Sequence, residues 1–225
     1  MATIVILGAG VMGSAFTVPL ADNGHVVRLV GTHLDGDIIA AVRQDHSHPR
    51  LRAHLPESVV PYTHDQLDEA MCAVDLIILG VSCAGVNWAA ERLGAVLPQD
   101  VPIVMLTKGL RGDGQTMDTV PRVLKRQLPA WYRGPVGGIG GPSIAGELAI
   151  RRQTNVPLAG PDKTLVEDLA EWLRTSYYHV WPDTDVVGVE VCAALKNLYG
   201  LGVGQARIGS LKMSPGLEPL GHEEM

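Results

Sequence analysis

An α/β protein with a doubly wound, mainly parallel sheet is predicted by three features of the 225-residue sequence. A short apolar run, Thr3–Leu7, feeds directly into Gly8-Ala-Gly10-Val11-Met12-Gly13, where a helical pattern begins. Further apolar runs alternate with helical segments of ten or more residues, the spacing that right-handed crossovers between parallel strands require. The composition, 46% apolar and 19% charged, is enough to bury a substantial core.

The glycine pattern gives the first strand its chemistry. Gly8 allows a tight turn, Gly10 lets a pyrophosphate approach the backbone, and Gly13 permits close helix–strand packing. The helix N-terminus then offers unpaired N–H groups and partial positive charge to phosphate. Residues Gly8, Gly10, Val11, Met12 and Gly13 are therefore candidate cofactor-binding residues of a Rossmann-type sheet. The alternative is a Gly-rich turn that binds nothing.

Gly24 should close this helix, with Pro19 kinking it, and His25–Val30 alternates as the second strand. Asp35 is placed to cap a helix through Arg43, and His46 to His64 reads as a long connection with little regular structure. His46, His48, His54 and His64 lack a compact ligand spacing, so no metal site is predicted. Asp75–Leu79 is a buried strand, Val86–Leu97 a helix and Val101–Leu106 another strand. Ligands sit beyond the carboxyl ends of such strands, which selects Gly8–Gly13, Gly80–Ser82 and Thr107–Gly109. Val136–Gly141 is a Gly-rich passage, Pro142 a rigid turn, and Ser143 the start of a helix. Asn155–Ala159 and Tyr177–Trp181 read as strands around a helix from Asp162 to Arg174. This first domain spans residues 1–182.

Residues 183–225 form the second unit. From Val186 to Val203 the chain is almost continuously apolar, broken mainly by Glu190, Lys196 and Asn197, and reads as a central helix buried on most sides. A membrane span is disfavoured, because a central lysine costs about 2.5–3.5 kcal/mol in a bilayer. Lys196 is expensive there unless paired or neutralised, which suits a proton-shuttling residue; the alternative is an amine at a groove edge pairing with a carboxylate. Lys108, after a strand's carboxyl end, is positioned for a ligand, or is a solvated surface lysine.

The net charge of −6 disfavours nucleic acid as a partner. Cys72, Cys83 and Cys192 are unpaired in sequence and read as thiols in a reducing compartment. With a core strand beginning at Thr3, no signal peptide is expected and the cytoplasm is the default.

Four strings, Gly8–Gly13, Leu106-Thr-Lys-Gly109, Gly141-Pro-Ser-Ile-Ala-Gly-Glu147 and Val191-Cys-Ala-Ala-Leu-Lys-Asn197, resemble in order those of NAD(P)-dependent glycerol-3-phosphate dehydrogenases. The resemblance reaches to about Val203 and implies reversible reduction of dihydroxyacetone phosphate to sn-glycerol 3-phosphate. It implies that Lys196 exchanges the proton, that Lys108 touches substrate and cofactor, that Gly141, Ser143 and Asn197 line the substrate site, and that Ala145 lies against the cofactor. Reductases of other small hydroxy acids share the first motif alone.

Cofactor choice rests on Gly31-Thr32-His33, which holds neither an acid for a ribose hydroxyl nor an arginine for a 2′-phosphate, with Asp35 slightly late. Thr32 and His33 could serve a phosphate, so the reading is NAD or NADP, leaning to NADP, with Ser82 also at the cofactor. Family members continue into an all-α C-terminal domain, of which only the first helix is expected here, followed by an irregular stretch from Ile208 to Met225. A truncated, weakly active nucleotide-binding fragment is thus the alternative to a working dehydrogenase. An exposed apolar patch, self-association or poor solubility follows, with a homodimer the assembly that could complete the site.

Overall fold

A computed structural model describes residues 1–51, 53–112 and 115–212. The elements run β1 (Thr3–Leu7), α1 (Val11–Asp22), β2 (Val26–Val30), α2 (Gly36–Asp45), β3 (Ser47–His48), β4 (Ala53–His54) and β5 (Val60–Tyr62). They continue through α3 (Leu67–Ala70), β6 (Leu76–Leu79), α4 (Val86–Gly94), β7 (Ile103–Met105), β8 (Leu110–Gly112), β9 (Met117–Thr119) and α5 (Val120–Gln127). The last are β10 (Val136–Ile139), α6 (Ala145–Ala149), β11 (Thr154–Ala159), α7 (Lys163–Leu173), β12 (Tyr178–Asp183) and α8 (Val186–Lys212).

Eight strands form one sheet in the order β12-β11-β10-β7-β6-β1-β2-β5, parallel at every pairing except β10 with β11. The doubly wound, mainly parallel expectation is met. Because side chains alternate along a strand, Ile4 and Ile6 enter a core on one face with Phe16 and Tyr178, while Val5 and Leu7 enter the other with Ile77 and Leu93. Phe16 and Tyr178 meet edge to face at 5.5 Å between centroids. The chain reverses direction across the sheet between β1 and β6, whose carboxyl ends therefore flank a natural crevice.

Local chemistry accounts for most boundaries. Gly24 takes φ +74° just past α1 and donates its N–H to Ala21 O at 2.9 Å. Asp162 Oδ1 caps α7 by accepting the Leu165 N–H at 3.0 Å. Far from the crevice, Arg151 grips Asp22 with two bonds of 2.7 and 2.8 Å, and the Tyr177 hydroxyl donates to the same carboxylate at 2.5 Å. That clamp ties the end of α1 to α6 and β12.

Several expectations need correction. The stretch from His46 to His64 is not irregular: it holds a β3–β4 hairpin and then β5, the edge strand beside β2. Its Pro61 hides the signal and is tolerated because an edge strand needs no second ladder. Ser143 does not open a helix; α6 begins at Ala145, after Ile144 in extended conformation. The helix after Thr184 is not buried on most sides, since Glu190 and Ala193 are buried but Leu195, Leu198 and Leu201 are 40%, 64% and 73% exposed. The helix packs against β10 and β11, where Val189 lies toward Gly140 and Pro157, and it also meets β8 and β9. Finally, α8 continues to Lys212, so residues 208–212 are helical: Gly209 alone costs a helix only about 1 kcal/mol. The rest of the stretch expected to be irregular, 213–225, lies outside the described residues. Among those described, no helix is long and apolar enough to cross a membrane.

Close packing at the glycine turn gives the first prediction. A Cβ on Gly13 would stand 2.0 Å from Gly8 O, a backbone atom with no freedom to swing aside. Gly13→Ala should lower the unfolding free energy by about 2–3 kcal/mol in denaturant titration. A loss below about 0.5 kcal/mol would show that the turn yields.

Candidate functional site

The crevice is built by strand tips. Gly8, at φ +112°, donates its N–H to Val30 O at 2.8 Å, and a Cβ there would lie 2.8 Å from the Gly80 carbonyl carbon at the tip of β6. Around Gly10, by contrast, a Cβ would meet nothing within 4 Å, so the backbone faces open space where a large anion could come close. Asp35 stands in the N-cap position of α2, yet its carboxylate does not cap that helix. Its Oδ2 accepts from Thr32 N and Thr32 Oγ1, both at 2.8 Å, and from Ala9 N at 3.3 Å. His48 Nε2 lies 3.1 Å from Ala9 O, so the turn is braced from both sides.

A cleft of about 230 Å³ results, lined by Gly8, Gly10, Thr32, His33, Asp35, Gly80 and Ser82, together with Leu34, Arg50, Gly85 and Trp88. Five of the sequence-predicted cofactor residues are thus brought together. Others play supporting parts: Gly13 is buried in the turn, Met12 packs on the core, Ala145 opens α6 against the same core, and Val11 is exposed. Four lining residues escaped the sequence reading, Leu34, Gly85, Trp88 and Arg50, of which the last two bring chemistry. Trp88, its ring 5.3 Å from that of His33, was hidden as an ordinary member of an amphipathic helix. Arg50 was hidden because the hairpin that carries it to the cleft was read as irregular. Among the described residues, no cluster of three or more His, Cys, Asp or Glu side chains could hold a metal.

A second cluster lies over the neighbouring strand tips. Thr107 Oγ1 donates to Val81 O at 2.6 Å and the Cys83 thiol donates to Lys108 O at 3.1 Å, which ties the cleft wall to the loop after β7. Lys108 Nζ donates to Leu106 O at 3.3 Å. A Cβ on Gly141 would lie 3.2 Å from Lys108 Cε and 3.8 Å from Lys196 Nζ. Two amines distant in sequence therefore converge on one glycine. Nearby in sequence, the buried Ser143 Oγ has no hydrogen-bond partner. The side chain of Asn197 lies outside the described residues. A larger cavity of about 660 Å³, beside Arg133–Val136 and Thr184–Val187, includes none of these groups.

Burial penalises the Lys108 ammonium and pushes its pKa down; the Lys196 charge acts the same way, and Glu190 opposes both. Glu190 is the other group that the sequence reading passed over. It is fully buried, and a Cβ on Gly138 would fall 2.3 Å from its Oε1, so the carboxyl rests where β10 has no side chain. Neither oxygen makes a hydrogen bond of good geometry. Desolvation raises its pKa to about 7, with Lys108 and the Gly109 N–H holding it from rising further. The signal available in sequence was an acid six residues before Lys196 in an apolar run.

A glycine-lined crevice at the reversal point of a parallel sheet, with paired amines one strand away, defines a dinucleotide-binding α/β protein. Residues 3–166 match the model described as NAD-dependent glycerol-3-phosphate dehydrogenase N-terminus, and the chain belongs to that family. It is similar to the NADP(+)-dependent glycerol-3-phosphate dehydrogenase of Archaeoglobus fulgidus, 36% identical over 91% of this chain and 60% of that protein. It is also similar to the glycerol-3-phosphate dehydrogenase [NAD(P)+] of Lactococcus lactis subsp. cremoris, 32% identical over 89% and 58%. The solved glycerol-3-phosphate dehydrogenase of Coxiella burnetii superposes with a TM-score of 0.78 at 27% identity, over 94% of this chain and 63% of that one. The chain spans about three fifths of the length of these curated relatives.

Glu190 generates the second prediction. Its folded pKa stands above its unfolded value of about 4.5, so it opposes folding once the unfolded carboxyl ionises. The loss develops between about pH 4.5 and pH 7, is constant above, and is on the order of 3 kcal/mol. Thermal melts of Glu190→Gln against the parent should therefore show a stability difference that shifts in the variant's favour from pH 4.5 to 7. A difference flat across that window would contradict the burial argument.

Proposed function

We propose that this chain binds NAD or NADP at the glycine turn and interconverts dihydroxyacetone phosphate and sn-glycerol 3-phosphate beside it. The observation that carries this reading is the meeting of Lys108 and Lys196 at Gly141, hydrogen-bonded through the Val81–Cys83 wall to the nucleotide cleft. When bound, the cofactor exchanges a hydride with the central carbon of the substrate. Lys196 donates the proton to the forming alkoxide in reduction and accepts it in oxidation. Lys108 holds the anionic substrate and offsets charge developing on its oxygen. Gly141 leaves room for the substrate, and the unpartnered Ser143 hydroxyl is free to bond it. Asn197, implied by the family likeness, completes this set.

Support for NADP over NAD comes from the end of β2. Asp35, the acid nearest the ribose position, is already committed to Thr32 and Ala9, while Thr32, His33 and Arg50 line the cleft with donors suited to a 2′-phosphate. The remaining parts of the reading are a reducing, cytoplasmic setting, supported by three free cysteines, and self-association through the exposed leucines of α8.

Mixing the chain with NADPH should quench or shift cofactor fluorescence, and dihydroxyacetone phosphate should then drive the fall in absorbance. Lys196→Ala should cost about 10²–10⁴ in turnover with NADPH binding unchanged. Unchanged turnover removes the lysine from the mechanism, and binding without turnover in the parent favours a nucleotide-binding module. For cofactor choice, Arg50→Gln should weaken NADPH by about 1.5–3 kcal/mol, roughly tenfold or more, and spare NADH. An equal loss for both cofactors would deny Arg50 its contact with the 2′-phosphate.

A further inference from the structure

Three charges meet at the substrate end of the site, and only two of them have a part in the proposed chemistry. The third, Glu190, is completely shielded from water; the Gly109 N–H lies near it, but neither oxygen makes a hydrogen bond of good geometry. It cannot swing to solvent, because the first turns of α8 lie on β10 and its carboxyl fills the space above Gly138. No direct ion pair joins it to either amine among the described residues, yet Lys108 lies within electrostatic range. The other charged groups near it are accounted for. Strands β10 and β11 carry no ionisable side chain. On β8, Arg111 is held by Asn87 Oδ1 and Cys83 O, and on β9 Asp118 is paired with Arg126 and Arg122. Helix α8 contributes Lys196 and Cys192.

We propose that Glu190 is the resident counter-charge of the two-lysine site, ionised while Lys108 and Lys196 face each other alone and protonated when an anionic ligand replaces it. The inference rests on the proposed reading that a phosphorylated substrate binds between these amines. With no ligand, two ammoniums and one carboxylate leave the site singly positive. A phosphate dianion reverses that balance and makes the buried carboxylate the unpaired charge, the costliest state in a poorly hydrated interior. Taking one proton from solvent returns the site to neutrality, with no bond made or broken in the ligand. Glu190 is thus a positioning residue: it steadies the Lys108 amine before substrate arrives and withdraws its charge afterwards. That the carboxyl is raised to about 7 by burial places the exchange within reach of ordinary pH.

The test is calorimetric titration of the chain, saturated with NADPH, with sn-glycerol 3-phosphate, a reduced pair that cannot turn over. Running it near pH 8 in Tris and in HEPES keeps the phosphate ester dianionic and separates proton uptake from binding heat. The parent should take up a large fraction of one proton, and its affinity should strengthen as pH falls from about 9 to 7. Glu190→Gln should bind with little uptake and a flat pH profile, a difference that a merely structural role would not produce. Binding by the parent without proton uptake overturns the inference and leaves the proposed function standing. Uptake that persists in the variant also overturns it, assigning the proton to the Lys108 amine. If glycerol 3-phosphate does not bind while NADPH does, the inference falls together with the substrate reading, and the site of failure is known.

Discussion

The architecture depends on one steric constraint: three backbones must approach each other more closely than any side chain allows. Gly8, Gly13 and Gly80 meet where β1 and β6 diverge, and a Cβ on Gly80 would stand 3.1 Å from Gly13 Cα. α1 can therefore begin directly against the strand tip, with open space beside Gly10 at its N-terminus. The suitability of the crevice for an anion follows from that proximity. The neighbouring side chains brace the turn without entering it: Asp35 takes the Ala9 N–H, and His48 takes its carbonyl. A flexible glycine loop would lose much of its binding energy to ordering, and these two contacts remove that cost before ligand arrives.

The second cluster is governed by charge instead of shape. Two amines brought to one glycine repel each other and lose hydration, so on their own they would favour the neutral form of at least one. A carboxylate placed against them offsets this, but in a dry site it brings its own desolvation. The result is a set of three groups with Lys108 pushed down and Glu190 pushed up, and with no direct ion pair between them among the described residues. Such an arrangement costs stability and leaves each charge free to respond to its surroundings, the property that the proposed proton exchange requires.

Much of this was readable in the sequence because the signals were local. The glycine spacing, the apolar runs and the residues after each strand picked out five residues that line the cleft, and Lys108 and Lys196 do converge on Gly141. What escaped had non-local causes. Arg50 reaches the cleft through a hairpin whose two-residue strands carry no periodicity, and β5 is three residues long with a proline at its centre. The Asp35 carboxylate looked like a cap for α2, since nothing in the chain reveals that Ala9 and Thr32 offer it better partners. Glu190 read as an interruption in an apolar helix, and its burial depends on a missing side chain 52 residues earlier, at Gly138. The extent of α8 was also misjudged, because apolar composition implies burial only if some other surface is present to cover it.

Accuracy across the site comes from its two halves being fastened to adjacent strands, not from either half alone. Strands β6 and β7 pair in register from Ile77 with Ile103 to Leu79 with Met105, so the loops that leave them start side by side. Thr107 then binds back to Val81, and the Cys83 thiol binds Lys108 O, so the amine-bearing loop and the cleft wall are tied by two hydrogen bonds. Only Lys196 arrives from outside this frame, on a helix anchored by its first turns against β10. Its alignment with Lys108 consequently depends on how α8 seats over Gly138 and Gly140, where glycine again permits the close approach. The same absence of side chains that opens the backbone at Gly10 lets the Lys196-bearing helix settle on the sheet at Gly138 and Gly140.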